Sequence, residues 1–176
     1  MENLEPAEFD MALLVFRVLF GLIFAAHGYA KMFRGGKIAG TAGWFDSIGM
    51  KPGKIHAVAA SVTEMGTGVL IALGFFTPLA AAGIIGVMLV AGWTVHRSSG
   101  FFIVGGGWEY SFIVALMAFL VAGIGPGQWS LDAAFGLDET LVGYTGMAIA
   151  LIVGIVAGIG QLVVFYRPPA TAAEAA

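Results

Sequence analysis

Long apolar runs alternate along the chain with short, polar, glycine-rich breaks. A helix needs roughly 17 to 25 apolar residues to cross the hydrocarbon core of a bilayer. Five windows meet or approach that length: Met11 to Phe33, His56 to Phe76, Leu79 to His96, Trp108 to Ile124 and Leu141 to Tyr166. The third and fourth are short, and Phe101 to Val104 is placed to dip into the membrane ahead of the fourth. The breaks carry turn formers. FRGGKIAGTAGWFDSIGMKPGK reads as a polar connection, Thr77-Pro78 as a tight turn, and GPGQWSLDAAFGLDE as a loop with Pro126 between two glycines. The tail PPATAAEAA ends the fifth helix and is expected to be mobile. The pattern contains no internal repeat and no soluble domain. It predicts an all-α, polytopic membrane helix bundle.

Composition agrees with the pattern. The chain has 176 residues, 59% hydrophobic and 11% charged, whereas an ordinary soluble domain is about a quarter charged. Its first residues, MENLEPAEFD, are acidic, unlike the basic start of a secretory signal, so the first apolar segment is expected to be retained. A net charge of −3 with unclustered basic residues argues against nucleic acid as a partner. Cysteine is absent, which removes disulfides, thiolate catalysis and every cysteine-ligated cofactor. Redox work would have to run through a bound cofactor or a partner protein.

Loop charges suggest an orientation. The connection after helix one, with its border, holds Lys31, Arg34, Lys37, Lys51 and Lys54, the connection after helix three adds Arg97, and the tail adds Arg167. The N-terminus, the Thr77-Pro78 turn and the Gly125 to Thr140 loop carry no lysine or arginine. An odd number of spans follows, with the N-terminus outside and the C-terminus cytoplasmic. Small residues offer helix contacts, with Gly154 and Gly158 as a small-xxx-small pair and Gly66, Gly68, Gly83 and Gly86 thinning other faces.

The polar residues inside the windows call for explanation. At 100° per residue, Arg17, His27 and Lys31 share one face of helix one, beside Gly21, Phe24 and Gly28. Glu64 lies well inside the second window, where a carboxylate costs roughly 2.5 to 3.5 kcal/mol and is tolerated when protonated, paired or hydrated. By depth, Glu64 pairs first with His27, and Arg17 is within reach as a second partner. Lys31 is equally placed to snorkel to the inner headgroups. His96, Glu109 and Tyr110 should gather at the cytoplasmic border beside Trp93 and Trp108, which read as an interfacial aromatic belt. His56, next to Lys54 at a helix start, reads as a surface residue. No residue set has the look of a metal site. Haem ligation by His27 and His96 is disfavoured, because their depths differ by more than a turn.

The segments RVLFGLIFAAHGYAKMF, TAGWF, EMGTGVLIALGFFTPLAA, VHRSSGFF, EYSFIVALMAFL and GPGQWSLD, in this order between Arg17 and Phe135, resemble the DoxX family of small bacterial membrane proteins. The resemblance implies a four-helix membrane core in the bacterial cytoplasmic membrane. It divides the chain into residues 1–140, core and loops, and 141–176, an additional helix and tail that depart from the usual pattern. For relatives it implies association with thiosulfate:quinone oxidation, or with membrane oxidoreductase complexes that handle thiol and oxidative stress. Carried onto this chain, the family's polar positions fall on Arg17, His27, Lys31, Glu64, His96, Glu109 and Tyr110, with Ser130 and Asp132 in an outer loop.

Two functions stay open, with the chain's status as an enzyme undecided between them. In the first, it is a subunit of a membrane oxidoreductase or respiratory assembly that binds a quinone, with Glu64 and His27 handling protons and Arg17, Lys31, His96, Glu109 and Tyr110 binding the ligand. In the second it is a membrane scaffold or assembly subunit, open to homo-oligomerisation, whose polar residues fix helix register. A small transporter is a third reading, weakened by the lack of paired broken helices or an inverted repeat.

Overall fold

The computed structural model describes residues 5–169. Residues 1–4 and 170–176, which include most of the tail expected to be mobile, lie outside the described residues. Helix α1 spans Pro6–Phe33. It starts with proline at its first turn, where a missing N–H costs nothing, and with a capping box between Glu5 and Glu8. Helix α3 spans Gly53–Leu73 and stops at Gly74, whose φ of 61° is the left-handed conformation that terminates helices. Helix α4 spans Thr77–Ala91 and continues as a π turn over Gly92–His96 and a 3₁₀ turn over Arg97–Ser99. Helix α5 spans Glu109–Ile124, and α7 spans Gly143–Phe165. Four of these stretches are long and apolar enough to cross a membrane: α1, α3, Thr77–Ser99 and α7.

At about 1.5 Å per residue, the 16 residues of α5 rise about 24 Å, short of a typical hydrocarbon core. Even so, α5 connects the same two ends of the bundle as its neighbours. Its first turn places Tyr110 beside His27, near the C-terminal end of α1. The loop after it donates the Gln128 amide to Asp10 Oδ1, near the start of α1, at 2.9 Å. The chain thus runs the length of the bundle five times, as the loop charges suggest.

Two elements lie where the sequence reads as loop. Helix α2, Lys37–Ser47, occupies the glycine-rich connection, and a single turn, α6, covers Leu131–Ala134. Helix α2 forms despite Gly40 and Gly43 because Phe45, 7% exposed, packs with Ile38, Ala42 and Met50 against α3. Packing of one apolar face outweighs weak intrinsic propensity. The Phe101 to Val104 segment forms a 3₁₀ turn and an exposed apolar knuckle.

Small residues set the helix spacing. Helix α1 crosses α3 at Gly21 and Gly28, opposite Gly68 and Ser61, and α4 meets α7 where Gly86 faces Gly154 and Gly158. Gly66, grouped with these from sequence, instead faces open space. Phe20, Phe24, Ile71, Ile84 and Val121 fill the centre, and large apolar side chains such as Leu22, Val156 and Val163 cover the outside, as a lipid-facing surface requires. Charge is divided between the ends. Lys31, Arg34, Lys37, Lys51, Lys54, Arg97 and Arg167 belong to one end, with Asp46 and Glu109 among them, and Glu5, Glu8, Asp10, Asp132, Asp138 and Glu139 to the other, with Arg17.

Two glycines on one helix test this packing. A Cβ on Gly68 would sit 2.6 Å from the Ala25 amide nitrogen, while one on Gly66 meets nothing within 4 Å. Gly68→Ala is expected to destabilise the protein by about 1–3 kcal/mol, and Gly66→Ala to be neutral or stabilising by up to about 1 kcal/mol. Thermal unfolding in a mild detergent would show the difference.

Candidate functional site

The close approach at Gly28 brings α1 and α3 near enough for side chains beyond the crossing to meet. Lys31 Nζ donates to both carboxylate oxygens of Glu64, at 2.8 and 2.6 Å. Glu64 is 3% exposed. The sequence expectation of a His27–Glu64 pair, with Arg17 second, is therefore replaced by a Lys31–Glu64 pair. The reason is reach: helical side chains lean toward the N-terminus, so the lysine stem runs back along α1 to the depth of the carboxylate. An uncompensated carboxylate in lipid costs more than the headgroup contact that Lys31 gives up.

The ion pair forms part of the wall of a cavity of about 380 Å³. His27 lines the same wall, with its Nε2 3.4 Å from the Tyr110 hydroxyl. The π turn in the α4 span supplies the opposite wall. Thr94, Val95 and His96 all line the cavity, an arc that three consecutive residues of one helix cover through local widening, a deformation common at functional sites. His96 Nδ1 lies 2.8 Å from the Gly106 carbonyl. A carbonyl accepts, so Nδ1 carries a proton and donates it. Phe24, Trp44 and Phe45 give the cavity its apolar surface, the last two from α2.

Gln161, from α7, also lines the cavity and was missed in the sequence. Its Nε2 lies 3.0 Å from His56 Nδ1, so the amide donates and Oε1 is left as an acceptor. His56 is not a surface residue. It is 2% exposed, set between Phe45 and Phe165. What hides it is the return of α7 over the start of α3, recorded where Arg167 N donates to Gly49 O at 2.8 Å. A pairing of residues 105 positions apart leaves no local signal.

The other sequence candidates lie outside this cavity. Arg17, 2% exposed, donates to the carbonyls of Ala72 and Trp129, tying α1 to the end of α3 and to the loop before α6. Asp132, 1% exposed, accepts from the amides of Phe76 and Thr77 at 2.7 and 3.0 Å and from the Thr77 hydroxyl at 2.6 Å. It caps α4 and holds Phe76 in a left-handed conformation, φ 46°. Ser130 caps α6 through the Ala133 amide. Glu109 does lie at the same end as His96 and Tyr110, but it accepts from the Ile103 amide at 2.8 Å and shapes the knuckle.

A family model described as DoxX matches residues 12–97. Over this stretch the chain is similar to the DoxX family. The DoxX segment contains Arg17, His27, Lys31, Glu64 and His96, whereas Tyr110 and Gln161 complete the cavity from beyond it. The chain is also 28% identical over 149 residues to an uncharacterized membrane protein of Mycobacterium tuberculosis (strain ATCC 25618 / H37Rv), covering 78% of this chain and 89% of that one. No solved structure matches it.

The ion pair can be tested by a double-mutant cycle. Lys31→Met leaves the Glu64 carboxylate without its partner and is expected to cost about 2–3 kcal/mol, below the ~3–5 kcal/mol of fully buried pairs because the lysine side chain keeps 26% of its exposure. Lys31→Met with Glu64→Gln should recover most of that loss in thermal unfolding.

Proposed function

We propose that this DoxX-like membrane protein is a subunit of an oxidoreductase system whose cavity binds a quinone or a similar lipid-soluble redox partner. The observation that carries the reading is the cavity itself. Its volume of about 380 Å³ falls within the range of small-molecule sites. Aromatic side chains offer flat apolar contact, and Lys31, His27, Tyr110 and Gln161 offer polar contacts around them. Reduction of a quinone to a quinol takes up two electrons and two protons. A partner redox protein supplies the electrons, and the His27–Tyr110 and Lys31–Glu64 pairs stand where protons would be delivered. In this reading the protein sits in a bacterial cytoplasmic membrane with its basic end inward, which places the cavity near the cytoplasmic face.

A specific observation favours the scaffold alternative. The Glu64 carboxylate is satisfied on both oxygens by Lys31 alone, as expected of a pair that sets helix register. In that case the cavity residues contribute to architecture and the partner surfaces carry the function.

An oxidised-minus-reduced ultraviolet difference spectrum of the protein, purified in mild detergent from its native membrane, separates the two. A near-stoichiometric quinone signal is expected. Tyr110→Phe should weaken rebinding of added quinone by up to about ten-fold, the equivalent of one hydrogen bond, and Glu64→Gln should lower occupancy further. A featureless spectrum from folded protein would overturn the redox reading and leave the scaffold.

A further inference from the structure

A second cavity, of about 430 Å³, opens between α4, α5 and α7. It is separate from the first but shares a wall with it: Met88 and Ser111 line both. Leu89, Phe112, Ala115, Leu151 and Ile155 make its length apolar. Its polar mouth is at the basic end, where Trp93, Trp108 and Arg97 line it. The Arg97 guanidinium carbon lies 4.4 Å from the centre of the Trp93 ring. Arg97 is exposed, and among the described residues no carboxylate lies within ion-pair distance of it. Two other acids of this end, Asp46 and Glu109, accept from the amides of Gly53 and Ile103.

We propose that this groove is a binding site for one anionic phospholipid of the leaflet at the basic end. An acyl chain lies along the apolar wall, and the phosphate meets Arg97. Three observations converge on that occupant. Depth is the first: Arg97 opens the last turn of the Thr77–Ser99 span and shares the groove with two tryptophans, at the level where headgroups begin. Chemistry is the second, because a guanidinium held over an aromatic ring presents a planar fork that matches two phosphate oxygens. Charge is the third: seven of the eight lysines and arginines belong to this end, which favours a net-negative headgroup over a zwitterionic one. A lipid seated there is separated from the first cavity by the thickness of Met88 or Ser111. The inference is independent of what the first cavity binds.

The experiment reconstitutes the full chain in phosphatidylcholine vesicles. A minor fraction of lipid carries brominated acyl chains on either phosphatidylglycerol or phosphatidylcholine, and quenching of tryptophan fluorescence is followed. Phosphatidylglycerol is expected to occupy the quenching site about five-fold more strongly, the ratio that one well-placed arginine confers. Arg97→Gln should bring the two lipids to parity. Lys54→Gln, which removes an exposed cation from the same end but away from the groove, should leave the preference intact. Equal quenching by both lipids in the natural protein would overturn the proposal. So would an equal loss of preference in Arg97→Gln and Lys54→Gln, which would assign the effect to general surface charge.

Discussion

The contact between Lys31 and Glu64 sets the terms for the rest of the structure. A carboxylate buried in the middle of a spanning helix is costly unless it is paired, and here the partner comes from a neighbouring helix. That demand fixes how closely α1 and α3 can approach. The lysine and the glutamate meet because Gly28 lies over the backbone of Ser61 and Met65, with no Cβ between them. Beyond that crossing, Phe24, His27 and Lys31 of α1 and Ala60, Thr63 and Glu64 of α3 line the cavity side by side. The glycine crossing and the polar site are therefore one construction.

The two ends of the bundle solve the same problem differently. At the acidic end, buried polar side chains bond mainly to the backbone. Arg17 spends its guanidinium on the carbonyls that end α3 and precede α6, and Asp132 takes up the free amides at the start of α4. Such contacts satisfy backbone groups that helix ends leave without partners, and they close that end. At the basic end, histidine, tyrosine, glutamine and the ion pair turn toward one another across a space. Polar residues in lipid thus divide into those that finish the backbone and those that face a cavity.

This division explains how much the sequence could disclose. Window length and hydropathy were enough to locate the five long helices, and the glycine spacing at Gly154 and Gly158 located one real crossing. The shared face of His27 and Lys31 was legible because helical periodicity is local. Which acid met which base was not, since His27 and Lys31 differ by one turn and the choice rests on side-chain reach. Helix α2 was hidden by its glycines, although Ile38, Ala42 and Phe45 already sit at helical spacing. Arg17 reads as a site residue from its charge and from the face it shares with His27 and Lys31. Its true partners are carbonyls, and every residue carries one.

Helix α7 changes what counts as the site. It lies beyond the DoxX segment, at residues that could be taken for an appendage. Yet Gly154 and Gly158 seat it directly on α4, and that seating carries Gln161 to the cavity and Phe165 over His56. His56 in turn packs on Phe45 of α2, the helix that closes the cavity from the side. Contact therefore runs from the last helix to the cover of the cavity through one buried histidine. A chain ending before α7 would lose a polar wall residue and would expose His56 together with the apolar faces of α2 and α4. The fifth long helix belongs to the same physical unit as the ion pair, because it shields the side of the cavity that α1 and α3 cannot reach.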